Sequence, residues 1–294
     1  MKQIMALLLA LLLGLGCVGA VSAKSSLPKG YLVLGEDLKG KDKAKVLKFL
    51  KVNDLDYYNV SYTTNEQEHN AFDVYLGSEL VGTRALSSIL LTPRAKGEGI
   101  HVSAYNVNYC TVEMYQNALL SAGAKDVNIT IAAPKPMSGT CALVSAMNAY
   151  SLLSGRKIDP KVADTAAYEL VLTGDVGDLI GDKDIAAELV AALKQEVLKG
   201  DLSEEQISEA IDQTSEKLGV TLDKQRKKQV IDLLLRLKDT DIDVDEMAKQ
   251  AGDLYKKVSG FVTDLDIKPE KAVGLLGKVI QWGTSLLGGS KSGA

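Results

Sequence analysis

Few residues in this sequence combine reactive side chains with a pattern. The chain holds two histidines, His69 and His101, and three cysteines, Cys17, Cys110 and Cys141. That is too few for a zinc ribbon, a haem-attachment site or a disulfide-dense scaffold, so neither a metal nor a cofactor is expected. The segment Pro136-Met137-Ser138-Gly139-Thr140 follows an apolar run and precedes a helical one. A small-residue turn in that place leaves backbone N–H groups free at the positive end of a helix dipole, where phosphate or carboxylate binds. Ser138, Gly139 and Thr140 are therefore candidate ligand-binding residues, with Arg84 as a countercharge. The turn lacks the lysine and second glycine of a nucleotide P-loop. Plain capping of the helix by Ser138 or Thr140 is the competing reading.

The cysteines suggest a different chemistry. Cys110 closes one strand-like segment, and Cys141 opens the helix that follows the next. If those strands are parallel and joined by a right-handed crossover, both helix starts emerge at one edge of the sheet. A Cys110–Cys141 disulfide is then expected, closing a loop of about 30 residues and stabilising by ~3–4 kcal/mol on the loop-entropy account. Two buried free thiols are the alternative. A thiol at a helix N-terminus has a lowered pKa, which would suit a Cys141 nucleophile with His101 as base. Nothing in the sequence orders that pair, and no catalytic residue is assigned. His69 lies in the polar run Glu66-Gln67-Glu68-His69-Asn70 and reads as solvated. Asp239, Asp241, Asp243 and Asp245 alternate, but neither calcium-loop register supplies both the glycine and the final glutamate, so no metal ligands are assigned.

These residues need elements to position them. Residues 1–23 read as a secretory signal peptide: Lys2 precedes an uncharged apolar run over Ile4 to Leu15, and Val21-Ser22-Ala23 offers the small-residue cleavage site. A lipoprotein anchored at Cys17 is the alternative. Of 294 residues, 34 are basic and 38 acidic; losing Lys2 leaves 33 against 38, a net charge of −5. That balance gives no basic footprint for nucleic acid. Ten of the eleven tyrosines lie between Tyr31 and Tyr168, which argues for a sheet-containing first part. The expected fold is an α/β or α+β domain with a mixed sheet over residues 24–155, followed by an all-α helical domain over 156–290.

Within the first part, strands are expected at Tyr31 to Leu34, Tyr57 to Tyr62, Ala85 to Thr92, Ile100 to Asn108 and Val127 to Ala133. The turn chemistry of Pro93 to Gly99 predicts that the third and fourth form a hairpin. Thr64 with Gln67, and Ser203 with Gln206, are capping-box patterns, and Asp159-Pro160 is a helix opening. Ile207, Ala210, Ile211, Thr214 and Leu218, then Val230, Leu233, Leu234 and Leu237, recur at helical spacing. The weakly charged segment over residues 272–287 is expected to pack on the bundle. Peripheral membrane contact through it is the less favoured alternative.

Gly82-Thr83-Arg84-Ala85-Leu86-Ser87-Ser88 and Ala132-Ala133-Pro134-Lys135-Pro136-Met137-Ser138-Gly139-Thr140 resemble the YpuA-type family of secreted Gram-positive bacterial proteins, whose function is not established. Thr111-Val112-Glu113-Met114-Tyr115 and the helices between Ile207 and Leu237 fit the same resemblance. It implies secretion and a two-part layout, and it offers no catalytic residues to carry over. The expected function is a secreted or cell-envelope protein that acts by binding a protein or envelope partner without catalysis, with Tyr57, Tyr58 and Tyr62 as a first surface to test. The alternative is a secreted hydrolase or small-anion-binding protein using the Ser138-Gly139-Thr140 turn.

Overall fold

The computed structural model describes residues 30–200 and 202–240. The signal segment with Cys17, the acidic residues Asp241, Asp243 and Asp245, and the segment 272–287 lie outside the described residues.

Five strands form one mixed sheet: β1 (Tyr31–Gly35), β2 (Asn59–Thr63), β3 (Ser88–Pro93), β4 (Ile100–Val107) and β5 (Val127–Met137), in the order β2-β1-β3-β5-β4. β1 runs parallel to β2 and antiparallel to β3, whereas β5 is antiparallel to β3 and parallel to β4. The β4–β5 pair is joined through helix α4 (Val112–Ser121), which is the expected parallel crossover unit.

The expected β3–β4 hairpin does not form, because β5 lies between the two strands. Burial explains the order. Ile129, Ile131, Ala132 and Ala133 of β5 are fully buried, so that strand takes an inner place with a neighbour on each side. β4 exposes His101 and Tyr105 and takes the edge, where one side needs no cover.

Alternation along the strands sorts two faces. Val33, Ile89, Leu91, Val102, Ile129 and Ile131 face a large core shared with α4 and with α5 (Thr140–Ser154). Leu32, Leu34 and Ala132 face the other way, onto Val46 of helix α1 (Gly40–Phe49) and the neighbouring Leu50. The short helices α2 (Asn65–Phe72) and α3 (Ser78–Val81) connect β2 to the segment before β3. Thr64 and Gln67 cap α2 reciprocally, as their spacing predicts.

Four helices follow: α6 (Pro160–Ile180), α7 (Lys183–Lys199), α8 (Glu204–Leu218) and α9 (Lys224–Lys238). The Asp159 side chain accepts from the Lys161 N–H with Pro160 at the first turn, and Ser203 forms its capping box with Gln206. The two predicted stripes, Ile207 to Leu218 and Val230 to Leu237, are buried against Leu172, Val176, Leu189 and Leu193 of α6 and α7. Ala166, Ala167, Leu170 and Val171 of α6, with Ala187 of α7, belong to the same core as the sheet.

Where α4, α6 and α7 meet, a charged pair is wholly enclosed. Lys194 Nζ donates to Glu169 Oε1 at 2.7 Å, Ser121 Oγ at 2.6 Å and the Asn117 carbonyl at 3.0 Å. All three ammonium protons thus have acceptors. Ser121 Oγ donates in turn to Glu169 Oε2 at 2.5 Å. Burial pushes the Glu169 carboxyl up and the Lys194 ammonium down, and their mutual attraction pulls each back toward its charged form.

Candidate functional site

The two segments that carried the resemblance, Gly82 to Ser88 and Ala132 to Thr140, both contribute to one cleft of about 330 Å³. Arg84, Ser138 and Gly139 line it together, as the anion-site reading requires, whereas Thr140 lies beneath the lining and turns its hydroxyl inward. Glu68, Glu79, Lys135 and Cys141 complete the polar wall.

The turn at its edge is tightly held. Tyr115 Oη donates to the Gly139 carbonyl at 2.7 Å, the Cys110 N–H to the Ser138 carbonyl at 3.2 Å, and the Asn108 N–H to the Met137 carbonyl at 2.9 Å. Gly139 has φ +89°, and a Cβ there would stand 2.3 Å from Tyr115 Oη and 2.5 Å from Val107 Cγ1. Only glycine fits both the left-handed backbone and the space.

The cap of α5 differs from expectation. Gly139 is the N-cap, and no local side chain bonds the helix start, so neither Ser138 nor Thr140 caps it. A carboxyl from α2 does so instead. Thr140 Oγ1 donates to Glu68 Oε1 at 2.6 Å, and the Cys141 N–H donates to the same carboxyl. The single Thr140 proton is thereby used, so Ser138 Oγ, 3.2 Å away, is the donor to Thr140 Oγ1. The protein's own acid occupies the position that the sequence suggested for a bound anion.

Glu68 is the residue that sequence reasoning missed. It is 2% exposed, lines the cleft, and leaves Oε2 with no hydrogen-bond partner. Desolvation raises its carboxyl above the usual range, while Thr140, the Cys141 N–H, the Asn65 amide and the neighbouring His69 draw it back. A signal was present: Glu68 and Phe72 are four apart on one helical face, and both are buried.

His69 points to the second segment. Its Nε2 donates to the Gly82 carbonyl at 2.8 Å and its Nδ1 to Asp73 Oδ1 at 2.6 Å. A ring donating from both nitrogens is an imidazolium, and the Asp73 bond is the main cause of its raised pKa. His69 is thus a clamp on the Gly82 loop rather than a free solvated side chain. Consecutive residues of α2 therefore grip both segments, Glu68 at Thr140 and His69 at Gly82.

The expected Cys110–Cys141 disulfide is not formed: both thiols are free and buried. The Tyr115 hydroxyl bonds Cys110. Cys141 Sγ instead contacts the Ser87 carbonyl at 3.6 Å. Burial pushes the Cys110 thiol up to about 12 and the Cys141 thiol higher still. A group so strongly held as a thiol is a poor nucleophile, which removes the basis for a Cys141/His101 hydrolase.

A larger groove of about 860 Å³ lies among β2, α2, α5 and α6, with Tyr62 on its wall. Tyr57 and Tyr62 are exposed and Tyr58 is half-buried. The groove lacks a buried, incompletely bonded polar group, so the smaller cleft is the stronger candidate. Among the described residues, no group of three His, Cys, Asp or Glu stands where a metal could be held, and no helix is long and apolar enough to cross a membrane.

The family described as protein of unknown function (DUF1002) matches residues 34–254, which includes every residue of the cleft. The chain is also 35% identical over 233 residues to the uncharacterized protein YpuA of Bacillus subtilis, covering 79% of each chain. No solved structure matches. The β2-β1-β3-β5-β4 sheet with its helical C-terminal part, and the cleft bounded by α2 and the α5 start, thus belong to a member of the DUF1002 family.

Proposed function

We propose that this chain is a secreted or cell-envelope binding protein without catalytic activity, and that its cleft takes a small ligand bearing an anionic group. Secretion is supported by the sequence of residues 1–23. One observation carries the ligand reading: Glu68 Oε2 is buried without a partner in the wall of a cleft that also presents Arg84 and Lys135. A buried polar atom left unbonded costs ~1–3 kcal/mol, and a ligand that completes it recovers that cost. Arg84 and Lys135 are exposed on the same wall and supply positive charge for a carboxylate or phosphate.

Titration of the purified chain with sodium acetate and inorganic phosphate, followed by amide chemical shifts, tests this. Saturable shifts at Arg84, Ser138 and Gly139, lost in the Arg84→Ala/Lys135→Ala double variant, are expected. Their absence would overturn the reading.

A hydrolase reading is favoured by a single feature, the chain of hydroxyls from Ser138 through Thr140 to Glu68. It predicts that a fluorophosphonate probe labels Ser138 and that Glu68→Gln abolishes labelling. An unlabelled wild-type chain returns the cleft to binding alone.

A further inference from the structure

The charged groups of the cleft are balanced in number and divided in depth. Arg84 and Lys135 are exposed, and so is Glu79, whereas Glu68 lies at the buried end. A bare anion meets two difficulties here. The start of α5, the natural place for an anion, is already bonded to the Glu68 carboxyl through Thr140 and the Cys141 N–H. An anion bound by Arg84 and Lys135 alone leaves Glu68 Oε2 as it was, buried and unbonded. A ligand that satisfies the whole cleft needs a negative group for the two cations and an N–H donor for the buried oxygen.

We propose that the ligand is a small zwitterion of the α-amino-acid or short-peptide class, its carboxylate held by Arg84 and Lys135 and its ammonium bonded to Glu68 Oε2. This rests on the ligand-binding reading above and assigns its chemical class. A cleft of about 330 Å³ has room for such a molecule. An ammonium beside Glu68 stabilises the carboxylate form, so binding releases a proton wherever burial has held part of the group neutral. The other titratable groups felt around Glu68 are His69 on its own helix, Cys110, Tyr115 and Cys141. The imidazolium of His69 is tied to Asp73 and Gly82, and the two thiols and the phenol are held neutral by burial. Glu68 is therefore the group from which the proton comes.

Calorimetry on the purified full chain with L-alanine, sodium acetate and ethylamine tests the assignment. L-Alanine is expected to bind at least about tenfold more tightly than acetate, the scale of one added charge-assisted hydrogen bond, and ethylamine more weakly than either. Glu68→Gln keeps an acceptor for Thr140 and the Cys141 N–H, and is expected to abolish the roughly tenfold preference for L-alanine over acetate. Equal binding of L-alanine and acetate by the wild-type chain, or an undiminished preference for L-alanine in Glu68→Gln, overturns the zwitterion assignment and leaves the anion site standing. Failure of all three probes and of phosphate to bind overturns the site itself, and this inference with it.

Discussion

Three glutamates are buried among the described residues, and two of them, Glu169 and Glu68, are solved in opposite ways. Glu169, between α4, α6 and α7, meets Lys194 and Ser121, and both its oxygens are bonded. Glu68, at the start of α5, has one oxygen bonded by Thr140 and one left alone. Both carboxyls are pushed up by desolvation, so the direction of the shift does not distinguish them. What distinguishes them is completion and access. A closed network among packed helices fixes how those helices meet, whereas an open valence on a cleft wall is available to something outside the chain. Burial of a titratable group thus marks a place of high energetic consequence, and the unmet bond marks where function enters.

The contrast can be broken most sharply at the closed pair. Lys194→Met should cost ~3–5 kcal/mol, because it leaves Glu169 buried without a countercharge, and urea unfolding measures it. Replacing both partners, Lys194→Met with Glu169→Leu, should recover most of that loss. If the single variant loses less than about 1 kcal/mol, the pair is not sealed as described.

Gly139→Ala comes next and strikes the cleft side. The new methyl meets Tyr115 Oη and Val107 at a backbone φ of +89°, so a loss of ~2–3 kcal/mol is expected in the same assay.

A third acid calibrates the desolvation common to both. Glu188 on α7 is nearly buried, and its pKa is raised from 4.5 to about 7 by desolvation, with a smaller contribution from Asp182. The folded state then holds a proton that the unfolded state releases, so stability falls as pH rises from about 4.5 to about 7. Glu188→Gln should remove that slope, giving up to ~3 kcal/mol over wild type at pH 8 and almost nothing at pH 4. Unfolding midpoints at the two pH values decide; a pH-independent gain would mean that the carboxyl is not desolvated.

The smallest effect is expected at the rim. Arg84→Ala should change stability by less than about 0.5 kcal/mol, since the side chain is exposed, while weakening acetate binding. A stability loss above 1 kcal/mol would make Arg84 a structural residue instead.

Features within one helical turn were legible in the sequence: the capping boxes at Thr64 and Ser203, the Asp159-Pro160 opening, and the stripes of α8 and α9. Such signals depend on neighbours three or four residues away, which a single chain displays directly. Strand order was not legible. Pro93 to Gly99 has turn residues whichever strand comes to lie beside β3, and the choice of β5 is made by burial on both faces. The same limit hid Glu68, whose capping target, Thr140, is 72 residues away. Arg84 lines the same cleft as Ser138 and Gly139, a proximity that no local sequence signal displays. The disulfide failed because shared placement at helix starts does not set the distance between two side chains: both cysteines are buried as free thiols.

The place of β5 in the sheet also sets an order of events in time. β3 cannot gain its second neighbour until Val127–Met137 is available, and β4 has only β5 to pair with. A chain emerging from synthesis N-terminus first therefore holds the edge of β3 and all of β4 unpaired until residue 137 has arrived. Such non-local pairing slows folding and lengthens exposure of strand edges. The last pieces of that sheet to arrive, β5 and the Ser138-Gly139-Thr140 turn that follows it directly, also finish the cleft. Closure of the sheet and assembly of the cleft are thus a single late step, and a chain halted before it has neither.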